Sequence, residues 1–196
     1  LGGVVGYGIG HLIKGSIDKQ QFGMDTPGYI MALLLVLSFF LVLLVHELGH
    51  VLGGLIAGNT FHLLTVGPLK VERDEGRLRM SLNKNLSTFG GLALTLPEST
   101  KGFKRQRTLT VAGGPAASLL LSLLCFIPIY FLDPSQTIPW LRFSLICLSS
   151  LSLLIFIATM IPARAGGFMS DGMQLLRIYQ NNPAAQRYEA LLQLIA

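Results

Sequence analysis

Charge, cysteine and tryptophan are all scarce in this chain. Only 13% of its 196 residues are Asp, Glu, Lys or Arg, against roughly 25% in a soluble domain. Hydrophobic residues make up 51% and the mean hydropathy is +0.58. A disordered chain is excluded, an ordinary water-soluble domain fits poorly, and a polytopic membrane protein remains. The two cysteines, Cys125 and Cys147, both lie in apolar runs. They are too few for a disulfide framework and wrongly placed for a cysteine-based zinc site. No cleavable signal peptide is visible, and because the first residue is Leu1 a preceding stretch is expected.

The charge that is present is concentrated. Residues 59–107 hold nine basic side chains against four acidic ones, which accounts for the whole net charge of +5. A pI near 9.5 would suit nucleic acid, but charge confined to one segment between apolar runs follows the positive-inside rule instead. No nucleic-acid partner is expected; the lipid bilayer is.

Three apolar runs are long enough to matter. Residues 29–45 are broken only by Ser38 and continue apolar to 57, enough for a span of about 20 helical residues. The second run, 109–132, contains Gly113, Gly114, Pro115 and Pro128. The third, 140–161, has Trp140 and Arg142 as interfacial anchors. Residues 1–13 are apolar but short and glycine-rich, suiting the end of a truncated helix or a re-entrant piece. The basic segment is expected in the cytoplasm and the link 133–139, with one acid and no Lys or Arg, outside.

Within the basic segment, residues 69–73 and 77–83 alternate apolar and polar around Asp74-Glu75-Gly76, a β-hairpin signal. A further strand, 92–96, follows Gly90-Gly91 and stops at Pro97. After Asp171 the pattern turns helical. Asn181-Asn182-Pro183 breaks it and opens a C-terminal amphipathic segment, 181–196. The predicted fold is mainly α: one membrane-embedded domain over 1–196, a polytopic helical bundle with a small β-hairpin and edge-strand insertion on the cytoplasmic side.

The first apolar run ends in His46-Glu47-Leu48-Gly49-His50, an HExxH pattern. Residues four apart on a helix lie about 40° apart on one face, so both imidazoles can share one zinc ion with Glu47 as general base. A carboxylate and two imidazoles in an apolar helix are costly unless paired or liganding, which favours function over a polar trio at a helix interface. The pattern needs a third ligand. A metzincin continuation fails, because Ile56 stands where a histidine is required. Glu72, 22 residues after His50, sits among Lys70 and Arg73 and reads as a surface strand charge. Asp171, on the same side of the membrane as His50, is the stronger candidate, although Ser170 or Asp171 also reads as a helix N-cap. His11 and His62 read as interfacial side chains, and Gly53, Gly54 and Gly58 as sites of close helix approach.

Three motifs in order resemble the site-2 protease family of intramembrane zinc metalloproteases: His46 to His50; Ala112-Gly113-Gly114-Pro115-Ala116-Ala117-Ser118; and Met160-Ile161-Pro162 continuing to Ser170-Asp171-Gly172. The resemblance covers residues 46–172. It implies a multi-pass cell-membrane zinc endopeptidase, active near the cytoplasmic face, with His46, His50 and Asp171 as ligands, Glu47 as base and a transmembrane segment of a partner protein as substrate. Ser118 and Thr159 stand where relatives carry asparagines that orient the substrate backbone, so both are candidate substrate contacts. The rival readings are a non-catalytic membrane zinc protein, acting as scaffold or immunity factor, and an ion path. The first is opposed by the intact Glu47 and the second by the lack of further intramembrane charge. An extended substrate also needs partners for its peptide groups, and the strand begun by Gly90, Gly91, Leu92 and Leu94 is the expected edge for it.

Overall fold

A computed structural model describes residues 22, 24–74, 76–97, 102–165 and 168–180. The expected C-terminal amphipathic helix and the apolar start lie outside these residues. Three helices are long and apolar enough to cross a membrane: α1 (Gly28–Ile56), α2 (Phe103–Phe131) and α3 (Pro139–Met160). A short α4 (Asp171–Tyr179) follows. Runs of Leu, Val, Ile and Phe favour helix here because a helix satisfies every backbone group internally. Pro139 opens α3 in its first turn, where a missing N–H costs nothing. Helix α2 begins six residues before its apolar run, through Lys104, Arg105 and Arg107. Hydropathy marks only the part of a helix that is apolar, so this polar entry reads from sequence as loop.

The helices meet through small residues. A side chain at Gly53 of α1 would collide with the Leu109 carbonyl of α2, and one at Gly113 with the Gly49 carbonyl. Backbones this close gain dispersion contact that larger side chains would block. Helices α2 and α3 are joined by buried hydroxyls. Ser122 Oγ donates to the Ser149 carbonyl at 2.9 Å, Ser149 Oγ returns the bond to the Ser122 carbonyl at 3.1 Å, and Ser152 Oγ donates to the Ser118 carbonyl at 2.8 Å. Arg142 is buried rather than splayed at an interface. Its guanidinium donates to the Leu132 carbonyl at 3.2 Å and the Ile129 carbonyl at 3.5 Å, where the C-terminal end of α2 leaves carbonyls unpaired.

Between α1 and α2 lies an antiparallel sheet of β1 (Asn59–Val66), β2 (Leu69–Asp74), β3 (Arg77–Leu82) and β4 (Leu92–Pro97), in the order β3-β2-β1-β4. The alternating hairpin is β2–β3 and the glycine-led strand is β4. Strand β1 shows no clean alternation and reads from the sequence as loop, yet it is central: Leu64 pairs with Val71 on one side and Ala93 on the other. Strand β4 is therefore held by β1. Leu64 and Val66 pack with Val51, Phe40, Leu43 and Leu44 of α1, so the sheet runs back along the helix. Gly67, at φ +53, turns β1 into β2 with its Cα against the Phe40 ring. On the far edge, β3 leaves Leu78, Met80 and Leu82 70–74% exposed.

Since Gly113 lies against the Gly49 carbonyl, Gly113→Ala should separate α1 from α2. Thermal unfolding in detergent should show a loss of about 1–3 kcal/mol, the usual cost of overpacking; an unchanged midpoint would contradict this packing.

Candidate metal centre

Two turns before its end, α1 presents His46 and His50 on one face, where the four-residue spacing puts them. Their Nε2 atoms lie 3.2 Å apart. The third group arrives from the far end of the fold. After α3 the chain folds back through a ladder of two two-residue strands, β5 (Arg164–Ala165) and β6 (Phe168–Met169). Ser170 closes it. Its Oγ donates to the Ile161 carbonyl at 2.7 Å, accepts the Ala163 N–H at 3.0 Å, and caps α4 through the Met173 N–H at 3.3 Å. Asp171, the first residue of α4, then places Oδ2 3.3 Å from His46 Nε2 and 3.5 Å from His50 Nε2. Gly172 makes this approach possible, since a side chain there would strike the Met160 carbonyl. The Asp-Gly pair thus combines a candidate ligand with the one residue small enough to bring it in.

The far nitrogens of both imidazoles are tied to α2. His50 Nδ1 donates to the Thr110 carbonyl at 2.9 Å, and His46 Nδ1 bonds Ser118 Oγ at 2.9 Å. Between these partners lies Gly114, whose missing side chain leaves room for the His50 ring. A carbonyl only accepts, so the proton of neutral His50 is on Nδ1 and its Nε2 presents a lone pair. Two imidazole nitrogens and a carboxylate oxygen converge on one point, and their lone pairs repel unless a cation lies among them. All three donor atoms fall within 4.8 Å of one another, and two nitrogens with one oxygen suit a divalent transition metal. These residues fit a metal ion. Burial works against the charge of Asp171, but when His46 and His50 carry protons toward it, their hydrogen bonds and charge outweigh burial and hold its carboxyl below the usual carboxylate range.

Glu47 is also buried and accepts the Ala93 N–H of β4. Gly91, at φ +118, lies directly against the Glu47 carboxylate, where any side chain would displace it. A cleft of about 320 Å³ opens here, bounded by His46, Glu47, His50 and Asp171 and by Gly91, Leu92 and Thr159. A second, of about 160 Å³, adjoins it along β4 past Leu94 and shares Thr110, Val111 and Gln174 with the first. Of the residues read from sequence as substrate contacts, Gly91, Leu92, Leu94 and Thr159 line these clefts. Gly90 precedes them in the turn. Ser118 lies elsewhere, wholly buried behind His46.

The sequence reading missed Asn59 and Thr110. Asn59 Nδ2 donates to Thr95 Oγ1 of β4 at 3.3 Å and to Thr110 Oγ1 of α2 at 3.1 Å. It braces the edge strand against the helix whose Thr110 carbonyl holds His50. Neither residue type signals such a role; only the fold brings them together.

Residues 34–196 match the family model of peptidase family M50. The chain belongs to this family. No curated protein and no solved structure gives a match. For an M50 peptidase with three apolar helices, membership implies a membrane metalloprotease with a metal cofactor, and the cluster of His46, His50 and Asp171 is where the described residues could hold that metal.

Proposed function

We propose that the chain is an intramembrane zinc endopeptidase that cuts a membrane-inserted segment of a partner protein. The observation that carries this reading is the convergence of His46, His50 and Asp171 beside Glu47, in a cleft bounded by a strand with a free edge. His46, His50 and Asp171 would hold the ion, and a zinc ion there would supply Lewis acidity toward the scissile carbonyl and water. Glu47 takes the proton of the attacking water and delivers it to the leaving amine. The Ala93 N–H and the flat face of Gly91 keep its carboxylate aimed at the cleft.

Substrate enters as an extended strand, because a peptide bond inside a helix is shielded by its own hydrogen bonds. Among the described residues strand β4 is paired on one side only, by β1. The Ala93 N–H points away from β1, to Glu47, so strand alternation puts the Thr95 N–H on the same open edge. Pairing there satisfies the substrate's peptide groups, which in an apolar setting cost several kcal/mol each when unpaired. Thr159, in the cleft wall, offers a hydroxyl to the same backbone.

The cell membrane is the setting. Helix α1 crosses it with its C-terminal end inside, and residues 59–107 follow on the cytoplasmic side. Phe40, against Gly67, lies 16 residues before the end of α1, about 24 Å at 1.5 Å per residue. The sheet therefore lies back along α1, with Leu78, Met80 and Leu82 of β3 exposed.

Four experiments test this reading. Glu47→Gln should keep bound zinc while membrane-substrate cleavage falls by about 10²–10⁴, the usual worth of a general base. Asp171→Ala should instead lower zinc content; full metal and full rate in either variant would refute its role. An unmodified chain that binds zinc but cleaves no membrane substrate would favour the reading of a non-catalytic zinc protein. For orientation, impermeant thiol labelling from outside should reach Ser135→Cys and miss Arg77→Cys; the reverse pattern inverts the topology. For strand pairing, Leu94→Cys in the Glu47→Gln background, with Cys125 and Cys147 replaced, should form disulfides with every second position of a substrate cysteine scan. A 3.6-residue period would mean a helical substrate.

A further inference from the structure

The hydroxyl of Ser118 has a partner and a location that set it apart from the other residues near the cleft. It is 0% exposed and its Oγ lies 2.9 Å from His46 Nδ1. A residue with no accessible surface, behind a ring whose other nitrogen faces the cleft, cannot touch a substrate in that cleft. The backbone at Ser118 is itself fixed from α3, because Ser152 Oγ, also 0% exposed, donates to the Ser118 carbonyl at 2.8 Å.

The two imidazoles are supported unequally. Thr110 meets His50 with a carbonyl, which cannot donate and so leaves that ring one neutral tautomer. Ser118 meets His46 with a hydroxyl, which can accept or donate. Thr110, Gly114 and Ser118 are spaced by four along α2 and form one face: two partners for imidazole Nδ1 atoms with a gap for a ring between them. Metal-bound histidines commonly pass their other ring N–H to such a partner, which fixes tautomer and ring plane, and removing the partner typically weakens metal binding about 10–100-fold.

We propose that Ser118 is a positioning residue for the metal, accepting the Nδ1–H of His46 so that Nε2 faces the ion, and that it makes no contact with substrate. This rests on the reading of His46 as a ligand. It moves the asparagine-like role implied for this position by the family resemblance out of the cleft and into the support of the centre. Ser118→Ala removes one oxygen and no carbon, so the helix packing is kept. Ser152→Ala is its control: it deletes an equally buried hydroxyl one step further from the ring.

The test uses the full chain in detergent micelles, with zinc affinity measured by chelator competition and Co²⁺ substituted as a spectroscopic probe. In Ser118→Ala, zinc should bind about 10–100-fold more weakly and the Co²⁺ visible bands should shift, while KM for a peptide substrate at saturating zinc stays within twofold. In Ser152→Ala, which frees the Ser118 carbonyl but keeps its hydroxyl, the loss of zinc affinity and the Co²⁺ band shift should both be smaller than in Ser118→Ala. Unchanged affinity and spectrum in Ser118→Ala, or a raised KM at full zinc loading, would overturn the proposal. Equal losses in both variants would overturn it as well, by assigning the effect to helix packing. If the unmodified chain binds no zinc, or keeps its zinc in His46→Ala, the metal-site reading itself fails, and that outcome is distinct from the others.

Discussion

Three electron-rich atoms held within hydrogen-bond distance of one another, inside apolar helices, constrain everything around them. His46 Nε2, His50 Nε2 and Asp171 Oδ2 approach within 3.2–3.5 Å. Such a cluster is unfavourable without a cation or shared protons, and it persists only if its supports cannot relax. Those supports occupy much of the described structure. Helix α2 holds both rings from behind, the Ser170 turn and Gly172 press α4 against the end of α3, and the hydroxyls between α2 and α3 keep these two helices in register.

Glycine is the means by which the cluster is reached. Gly49, Gly53 and Gly113 let α1 and α2 touch backbone to backbone, Gly114 admits the His50 ring, Gly172 admits Asp171, and Gly91 lets β4 lie on Glu47. Each is a place where one methyl group would shift a functional group. Elsewhere glycine lowers helix propensity by about 1 kcal/mol relative to alanine; in an apolar bundle that cost is offset by packing that only glycine permits.

The sheet serves the same centre from the other side. Its apolar face lies on α1, and its last strand reaches the HExxH helix with one edge open. Asn59 ties that strand to α2 through Thr95 and Thr110, so the cluster of His46, His50 and Asp171, Glu47 and the strand edge form one connected unit rather than a helix bundle with a separate insertion. That connection gives physical content to the proposed use of β4 as a template: an edge that moved relative to the metal could not present a peptide bond to it.

Much of this was written in the sequence. Helical spacing alone puts His46 and His50 on one face around Glu47, hydropathy finds the three long helices, and period-2 alternation finds the β2–β3 hairpin, because each of these is a local periodicity. Membership in peptidase family M50 agrees with the resemblance to the site-2 proteases. What could not be read locally is what depends on contact between distant segments. Strand β1 has no alternation because much of it is covered on both faces. The polar first turns of α2 carry no hydropathy signal. Arg142 reads as an interfacial anchor because only the fold shows the carbonyls it meets. Ser118 reads as a substrate contact from its place in a motif, and only tertiary packing, which wraps it between α1, α2 and α3, turns its hydroxyl to the back of His46.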